Sequence, residues 1–408
     1  MAIDRFGDRD LQEICDQWFP LDEHWQRHLE AWPGAPLIGT GGFPWHTAHL
    51  CRDRLVAFPH TDTFQSLREP EQLRRAAENC GIAFPQTISN FQHQTESVAK
   101  AMPVPAGRWL LKPRYGTGGI GIRDASVGLL ESATAPAADP SDLQQWTAGR
   151  PLGACFFSRL RCGQRHTRFL GAFDGLTHRH HREWRWLYGG SLGPRPLPPE
   201  CRQVLVQLGA ELASRFGLVG LFNVDLLRRR DGSLVLLEIN PRYSASMELL
   251  RFPASRHDPG RWASLIDWHL AAYQEHAGEI DCDTADERTS WLSQAIDPAS
   301  SISYSTAGYD ADCIQPMASE SACKRVVYAA APLQIDCSAA SLSRRFDCLA
   351  QVMPGVRISF HDLPPRGDTV PAGAPALSVI VRGPQSLVTL RRLAQRIAAE
   401  LRRDLRAP

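Results

Sequence analysis

Apolar positions recur at helical or at alternating spacing along this chain of 408 residues, and the two spacings predict its elements. Amphipathic helices are predicted where apolar residues return every three or four positions, at residues 11–32, 47–55, 70–80, 200–216 and 387–405. Strands are predicted at short apolar runs bounded by turn residues, at residues 36–39, 109–111, 152–158, 167–172, 221–227, 234–239, 324–330 and 377–382. Helices and strands therefore alternate, which is typical of a mixed α/β fold.

The order of these elements predicts four regions of the chain. They are a small α/β lobe at residues 1–75, an α+β core at 76–280, a linker rich in Ser, Ala and Asp at 281–322, and a C-terminal α/β domain at 323–408. Within the core, the turn signal Arg230-Asp231-Gly232 separates two apolar runs, and this pattern predicts a β-hairpin.

Composition and charge exclude several classes of protein. The formal net charge is +1, which gives no reason to expect nucleic acid or an anionic membrane as a partner. No apolar run reaches the roughly 18 residues of a membrane span, and Met1–Asp10 is charged where a signal peptide would be apolar. The 11 cysteines form no CxxC pair, which favours reduced thiols over disulfides or zinc ligands. We therefore expect a cytoplasmic protein.

A predicted strand that ends in a lysine opens into a glycine-rich loop. Lysine occurs only at Lys100, Lys112 and Lys324, so Lys112 stands out in a chain whose positive charge is nearly all arginine. Four glycines follow it within a few residues, at Gly116, Gly118, Gly119 and Gly121. Glycine lets backbone amides approach and turn toward phosphate oxygens, so we interpret this segment as a phosphate-binding loop. The alternative is a glycine-rich hairpin that holds no ligand.

Two acids and an amide fall on the predicted hairpin. Glu238 and Asn240 are two residues apart and point to the same face of one strand, and the hairpin can place Asp225 beside them. Mg²⁺ prefers such oxygen ligands, and Arg242 could meet a phosphate or a carboxylate through two hydrogen bonds. The alternative is that Asp225 caps a turn while Glu238 forms a salt bridge with Arg242.

These segments, taken in order, resemble the ATP-grasp superfamily, to which biotin carboxylase, D-alanine–D-alanine ligase and many carboxylate–amine ligases belong. The resemblance covers roughly residues 76–260. It implies an ATP-grasp fold, in which two α+β subdomains grip ATP between a small α/β N-terminal lobe and a C-terminal α/β extension. The chain looks most similar to ATP-dependent carboligases related to biotin carboxylase, a group associated with one-carbon metabolism that uses tetrahydromethanopterin and methanofuran-type cofactors.

The resemblance also assigns roles to particular residues. It implies ATP and Mg²⁺ as cofactors, with Mn²⁺ able to replace Mg²⁺. Lys112 and the four glycines would bind ATP, Lys112 and Arg242 would be catalytic, and the metal would be held by Asp225, Glu238 and Asn240. A hinge near residues 143–149 would contact adenine through Gln144, Gln145 and Trp146.

The family's chemistry implies an ADP-forming ligase that joins a small-molecule carboxylate to an amine through an acyl phosphate, in the biosynthesis of a one-carbon-carrier cofactor. A carboxylase-type or kinase-type ATP-grasp enzyme is one alternative, and a nucleotide-binding regulator without turnover is another. Neither nucleic acid nor a membrane is expected as a partner, whereas a homodimer is left open by the apolar face of the last predicted helix.

Two segments are candidates for the substrate side. His178, His180 and Arg182 belong to a basic run that could hold an anionic acid, although an exposed loop without a ligand explains it as well. Tyr243 and Ser244 follow Arg242 and could line the acceptor side or simply form a turn.

Three positions depart from the family pattern. The acid that often holds the ribose hydroxyls is replaced by Pro151, and Asn223 stands where some ligases carry an arginine. The family's other ATP-binding lysine, which precedes the first loop, has no clear counterpart, because Lys100 lies close to Lys112 in sequence.

Overall fold

The computed structural model describes residues 2–4, 15–32, 34–40, 55–89, 106–125, 140–161, 163–178, 185–252, 263–278 and 320–404. The predicted helix at residues 47–55 lies outside these ranges except for its last residue, and the predicted linker at 281–322 lies outside them except for its last three residues.

The strands follow one another along the chain as Ala2–Asp4 (β1), Trp18–Pro20 (β2), Leu37–Ile38 (β3), Val56–Ala57 (β4), Thr87–Ile88 (β5), Trp109–Pro113 (β6), Arg123–Ala125 (β7), Ser141–Gln145 (β8), Arg150–Arg161 (β9), Gln164–Thr177 (β10), Tyr188–Gly193 (β11), Gly220–Arg228 (β12), Leu234–Asn240 (β13), Ser321–Tyr328 (β14), Leu333–Gln334 (β15), Arg357–His361 (β16), Thr369–Val370 (β17) and Pro375–Gly383 (β18).

The helices are Thr61–Ser66 (α1), Pro70–Asn79 (α2), Pro199–Phe216 (α3), Leu265–Ala277 (α4), Ala339–Gln351 (α5) and Leu387–Asp404 (α6), together with short 3₁₀ helices at Trp25–Ala31 and Met247–Leu249. Proline at the first helical position begins α2 and α3, where its missing N–H costs no hydrogen bond. A left-handed glycine follows α3 and α4 and ends each helix.

These elements form two compact units. The C-terminal unit comprises Met1–Ala35, Gly189–Pro194 and Met317–Pro408, and the central unit comprises Pro36–Tyr188 and Arg195–Pro316. The four regions predicted from the sequence are not the same as these two units, and they remain a prediction.

The main sheet of the central unit is antiparallel, with strand order β13-β12-β9-β10. Helix α3 covers one face, where the Phe156 ring stacks on Phe222 at 5.0 Å between centroids. The helix comes so close that a Cβ at Gly209 would lie 2.4 Å from the Phe156 ring. Helix α4 covers the other face, where Trp268 meets Phe157 at 5.7 Å. The sheet is therefore buried on both faces, which explains its nearly continuous apolar strands.

A second sheet of the central unit, with strand order β5-β8-β6-β7, carries Lys112. Lys112 pairs with Asp142 across β6 and β8, and Gln144 pairs with Leu110 on one side and with Thr87 on the other. Paired residues of antiparallel strands point to the same face. Lys112 and Gln144 therefore lie on one face of this sheet, one pair apart.

The predicted hairpin forms, with β12 and β13 joined at Arg229–Ser233. Asn223 pairs with Asn240 and Asp225 with Glu238, so the four side chains lie on one face. The pairing then shifts by one residue, which leaves Leu237 as the extra residue of a β-bulge.

The C-terminal unit has an antiparallel sheet with strand order β11-β14-β18-β16. Helix α6 packs on β14 and β18, and α5 packs on β16. Near the start of the chain, strands β1 and β2 pair in parallel, with Ala2 opposite Trp18.

The predicted helix at residues 11–32 is wrong over its described part, residues 15–32. Strand β2 runs through Trp18–Pro20, and only a 3₁₀ helix follows at Trp25–Ala31. Pro20 lacks an N–H and disfavours helical geometry at the preceding residue, so the apolar spacing did not produce one helix. None of the described helices is long and apolar enough to cross a membrane.

Candidate functional site

Four polar side chains on β12 and β13 form one hydrogen-bonded cluster. The Asn240 Nδ2 donates to Asp225 Oδ2 at 2.9 Å and to Glu238 Oε1 at 3.3 Å. The Asn223 Nδ2 donates to Asp225 Oδ1 at 2.8 Å. The strand beneath contributes Gly153 opposite Asp225, where a Cβ would lie 3.3 Å from Asn223 Oδ1. The two carboxylates are thus held side by side by amides, as the hairpin spacing predicted.

The two acids of this cluster titrate in opposite directions. Burial and the neighbouring Glu238 carboxylate raise the pKa of Asp225. Burial would also raise the pKa of Glu238, but the positive charges of Lys112 and Arg68 outweigh it and hold that pKa well below its usual range. Negative charge is therefore concentrated on Glu238, and an additional cation would favour the charged form of Asp225 as well.

Lys112, at the end of β6, forms an ion pair with this cluster. Its Nζ lies 2.5 Å from Glu238 Oε2, and about a fifth of each side chain is exposed (21% and 22%). Arg242 is partly buried and donates its Nη1 to the Tyr243 carbonyl at 3.1 Å. Within the described residues Glu238 therefore pairs with Lys112 rather than with Arg242. The exposure of the ion pair leaves both groups within reach of a ligand.

A pocket of the central unit opens beside this ion pair. Its apolar walls include Leu67, Leu73, Phe84 and Leu237, and its lining is completed by Arg68, Pro70, Thr87, Lys112, Pro113, Arg114, Asp142, Gln144 and Glu238. Leu237 and Glu238 are adjacent in sequence and would point to opposite faces of a regular strand. Both line the pocket because Leu237 is the extra residue of the bulge, which interrupts the alternation of side chains at this point of β13.

Arg68 is a pocket residue that the sequence did not reveal. It lies between α1 and α2, and its charge helps to lower the pKa of Glu238. The expected second ATP-binding lysine had no counterpart, whereas Arg68 supplies a cation ahead of the first loop. The scarcity of lysine was the available signal, because a chain that carries nearly all its positive charge on arginine can use arginine at this position.

The glycine loop has the backbone geometry that only glycine adopts freely. Gly118, Gly119 and Gly121 have φ angles of +61°, +79° and +77°. The Tyr188 N–H donates to the Gly118 carbonyl at 2.7 Å, and a Cβ at Gly119 would lie 2.1 Å from the Trp186 carbonyl oxygen. The loop that follows Lys112 is thus packed against residues 186–188. Gly116 lies in its first turn, where its N–H donates to the Pro113 carbonyl at 3.2 Å.

The three predicted hinge residues occupy different places. Gln144 is buried, lines the pocket and donates its Nε2 to Thr87 Oγ1 at 3.3 Å. Gln145 lies on the opposite face of β8. The Arg108 guanidinium covers the Trp146 ring, 4.9 Å from its centroid. Of the three side chains, the structure therefore brings Gln144 to the pocket.

The predicted substrate residues are partly described. His178 is buried just beyond β10, and its backbone N–H donates to the Leu187 carbonyl at 2.8 Å. His180 and Arg182 lie outside the described residues. The Ser244 Oγ lies 3.1 Å from Ser246 Oγ, which in turn lies 3.5 Å from Cys155 Sγ.

That chain of contacts ends at the carboxylate cluster, because Cys155 Sγ lies 3.5 Å from Asn223 Oδ1. Ser244 is thereby connected to the cluster, whereas Tyr243 meets Arg242 through its carbonyl. Of the departures from the family pattern, Pro151 pairs with Leu227 at the start of β9, and Lys100 lies outside the described residues.

Comparison with known proteins finds a family model that matches part of the chain. Residues 72–246 match the family model described as ATP-grasp domain. No curated protein is significantly similar to the chain in sequence. Solved structures with the same fold include an N5-carboxyaminoimidazole synthase from Aspergillus clavatus in complex with ADP and 5-aminoimidazole ribonucleotide, at 13% identity and a TM-score of 0.61, covering 98% of this chain and 91% of that one.

Two further solved structures are similar over most of their length. The biotin carboxylase domain of Hydrogenobacter thermophilus 2-oxoglutarate carboxylase, in complex with MgADP, ADP and bicarbonate, is 15% identical with a TM-score of 0.61 and covers 94% of this chain and 81% of that one. An L-amino acid ligase from Bacillus licheniformis is 13% identical with a TM-score of 0.55 and covers 96% and 81%. These likenesses confirm the predicted fold.

Proposed function

For a chain that carries an ATP-grasp domain and has the ATP-grasp fold, we propose an ATP-dependent, ADP-forming carboxylate–amine ligase that works through an acyl phosphate. One observation carries the proposal: the Asp225–Glu238 carboxylates and the Lys112 ammonium, 2.5 Å from Glu238, meet at the rim of an apolar pocket. The pocket is suited to a flat base, and the charged rim is suited to a triphosphate with its metal.

The donor set fits magnesium. Two carboxylates and the Asn240 amide supply hard oxygen ligands, and burial makes two neighbouring acids costly unless a cation joins them. In the described part of the chain no group of three or more His, Cys, Asp or Glu is arranged for a metal, so phosphate oxygens would complete the shell, as is usual for Mg²⁺. Bound to Asp225, Glu238 and Asn240, Mg²⁺ or Mn²⁺ would neutralise phosphate charge.

The residues of the chain position the reactants and offset charge, which is most of what phosphoryl transfer requires of a protein. On binding ATP, Lys112 exchanges part of its contact with Glu238 for phosphate oxygens, and Arg68 adds a second cation at the same pocket. Arg242 lies partly buried near the acids, where it can face the transferred phosphoryl group or the acid substrate. The loop at Gly116–Gly121 covers the phosphates and excludes water from the acyl phosphate.

The named neighbours support this reaction class without fixing the substrates. One of them is called an L-amino acid ligase, and another was solved with an aminoimidazole ribonucleotide, a compound that bears an amine. The biotin carboxylase neighbour, solved with bicarbonate, favours the carboxylase alternative. We keep a precursor of a one-carbon-carrier cofactor as the proposed acid, with Ser244 and Tyr243 on the acceptor side.

The test is release of ADP and phosphate from Mg-ATP by the purified protein, with pools of amino acids, polyglutamates and one-carbon cofactor precursors. We expect release that requires an acid and an amine together and that disappears in Glu238→Gln. Release that requires bicarbonate would identify a carboxylase instead, and a stable phosphorylated product would identify a kinase. Wild-type turnover in Glu238→Gln would overturn the assignment of the metal site.

If the protein binds ATP but shows no turnover with any of the substrate pools, the result would favour the other alternative, a nucleotide-binding regulator without turnover. The matched control is Asp231→Asn, which removes an exposed acid from the turn of the same hairpin, where Asp231 accepts hydrogen bonds from Ser233. Its turnover should equal that of the wild type.

A further inference from the structure

The pocket has two chemically different ends along one sheet. Lys112 pairs with Asp142 on β8, and Gln144 lies two residues farther along the same strand, a separation of about 6.6 Å. The Lys112 end carries the charges, whereas the Gln144 end has only neutral polar groups between the apolar walls. If the pocket holds ATP as proposed above, the phosphates lie at the Lys112 end and the base lies at the Gln144 end.

The orientation of the Gln144 amide is set by a neighbour on β5. Thr87 Oγ1 donates to the Pro85 carbonyl at 3.0 Å, which uses the single hydrogen of the hydroxyl. Thr87 Oγ1 can therefore only accept from Gln144, and the contact at 3.3 Å is made by Nε2. The amide nitrogen of Gln144 thus faces Thr87, and its carbonyl oxygen faces away.

That carbonyl oxygen is available to a ligand. Among the described residues Gln144 Oε1 has no hydrogen-bond partner, and it is not among the enclosed polar atoms that lack one. Since Gln144 lines the pocket, Oε1 is an acceptor presented to whatever fills the base end.

We propose that Thr87, which does not itself need to touch the ligand, makes the pocket selective for a 6-amino purine over a 6-oxo purine by holding Gln144 with its oxygen toward the base. The proposal rests on the proposed function, because it assumes a purine nucleotide in this pocket. An exocyclic amino group donates to Gln144 Oε1, whereas a 6-oxo group would set two acceptors against each other.

The opposite orientation is blocked by the same hydrogen-bond chain. To meet a 6-oxo group, Gln144 would turn its oxygen toward Thr87 Oγ1, whose hydrogen is already given to Pro85. Either two oxygen acceptors would then face each other, with Gln144 Oε1 unpaired, or the hydroxyl would turn to Gln144 and leave the Pro85 carbonyl without this donor. A buried unpaired group costs about 1–3 kcal/mol, and this half-buried place lies at the lower end. Without the Thr87 hydroxyl this cost disappears and either orientation is open.

The experiment compares the binding of Mg-ATP and Mg-ITP to the full chain by isothermal titration calorimetry. ITP differs from ATP only around position 6 of the purine. We expect the wild type to prefer ATP, and Thr87→Val to lower the ratio of the two affinities by about tenfold, which corresponds to about 1.4 kcal/mol. Thr87→Ser keeps the hydroxyl and should keep the ratio of the wild type, with melting temperatures measured for both variants.

A second substitution distinguishes orientation from a general loosening of the pocket. A carboxylate has no N–H to offer in either orientation, so Thr87→Val combined with Gln144→Glu should regain the preference for ATP. Equal binding of ITP and ATP by the wild type, or a ratio in Thr87→Val within twofold of Thr87→Ser, would overturn the proposal while leaving the ATP-dependent function intact. If no variant and no wild-type protein binds ATP, the proposed function itself fails.

Discussion

Two sets of titratable groups in the central unit, one buried and one partly exposed, differ in how completely they are paired. The His269 ring is fully buried, with its Nδ1 accepting from the Leu221 N–H at 2.8 Å and its Nε2 3.0 Å from the Ala57 carbonyl. Burial lowers the pKa of His269 to about 4, so the ring stays neutral. The Asp225–Glu238 pair instead places two acids side by side, with only the ammonium of Lys112 in direct ionic contact among the described groups.

We interpret this difference as one between a structural role and a ligand-binding role. His269 connects α4 to β12 and β4 with partners that match its neutral form, so nothing more is needed there. Burial and the neighbouring Glu238 carboxylate raise the pKa of Asp225, so a proton or a further cation would stabilise the acid pair. We therefore expect a ligand at the acid pair and not at His269.

The largest effect that this contrast predicts is loss of turnover without loss of fold. Lys112→Met removes the cation that we propose faces the phosphates, and removal of one such electrostatic contact typically costs about 100- to 1,000-fold in rate. We expect ADP release to fall by that factor, while the melting temperature stays within a few degrees of the wild type. Turnover is measured with saturating Mg-ATP and unfolding by circular dichroism.

The control for this variant is Arg74→Met, which removes an exposed cation of α2 and its ion pairs with Glu71 and Glu78. Exposed ion pairs contribute little, so both turnover and melting temperature should stay near wild-type values. A Lys112→Met protein that keeps its full turnover would show that this lysine serves the fold, as His269 does.

The second effect is a pH dependence of stability that belongs to His269. The unfolded ring titrates near 6.5 and the folded ring near 4, so between these values the unfolded state binds the extra proton. The free energy of unfolding is therefore unaffected by His269 above about pH 6.5 and falls by about 3 kcal/mol as the pH is lowered to about 4. Urea unfolding between pH 7.5 and 4 measures this loss.

His269→Gln separates this loss from that of other groups that titrate in the same range. The variant should be less stable at neutral pH, but the part of the pH dependence assigned to the ring should be missing. If the difference between the two proteins is the same at every pH, the ring does not titrate as its burial indicates.

The contrast also explains which parts of the site could be predicted from the sequence. Asp225, Glu238 and Asn240 were predicted together because strand alternation and one hairpin turn bring them to one face. Helices α2, α3 and α6 were predicted within one or two residues because their apolar spacing is regular and proline or glycine marks several of their ends.

Other features depend on contacts that local patterns do not encode. Arg68 reaches the pocket through the packing of distant elements, and the extra residue Leu237 lies in a bulge that the hairpin pattern does not reveal. Helix α4 was not predicted, although Ser264 caps it by accepting from the Asp267 N–H. The pairing of His269 joins residues 48 and 212 positions apart, beyond the reach of periodicity.

The third effect concerns the glycine loop that follows Lys112 in the chain. Gly119→Ala would place a Cβ 2.1 Å from the Trp186 carbonyl oxygen, so the loop must shift. We expect at least about tenfold weaker Mg-ATP binding, since about 1.4 kcal/mol corresponds to tenfold. Gly118→Ala is the matched control, because its φ of +61° is similarly strained while its Cβ would lie 4.0 Å from Tyr188. Equal losses in both variants would mean that backbone strain alone, and not contact with residue 186, positions the loop.

The smallest effect is also the most direct measure of cation binding by the acid pair. A cation that binds the folded acid pair stabilises the protein by an amount that grows with the logarithm of its concentration above Kd, and Mg²⁺ at about ten times its Kd adds about 1.4 kcal/mol, or roughly 2–4 °C in melting temperature. Glu238→Gln should lose this shift, whereas Asp231→Asn should keep it, because Asp231 is exposed in the turn and paired with Ser233. His269→Gln should keep it as well, although that protein is less stable. A shift that survives in Glu238→Gln would mean that Mg²⁺ binds elsewhere, and the raised pKa of Asp225 would then reflect only its burial beside the Glu238 carboxylate.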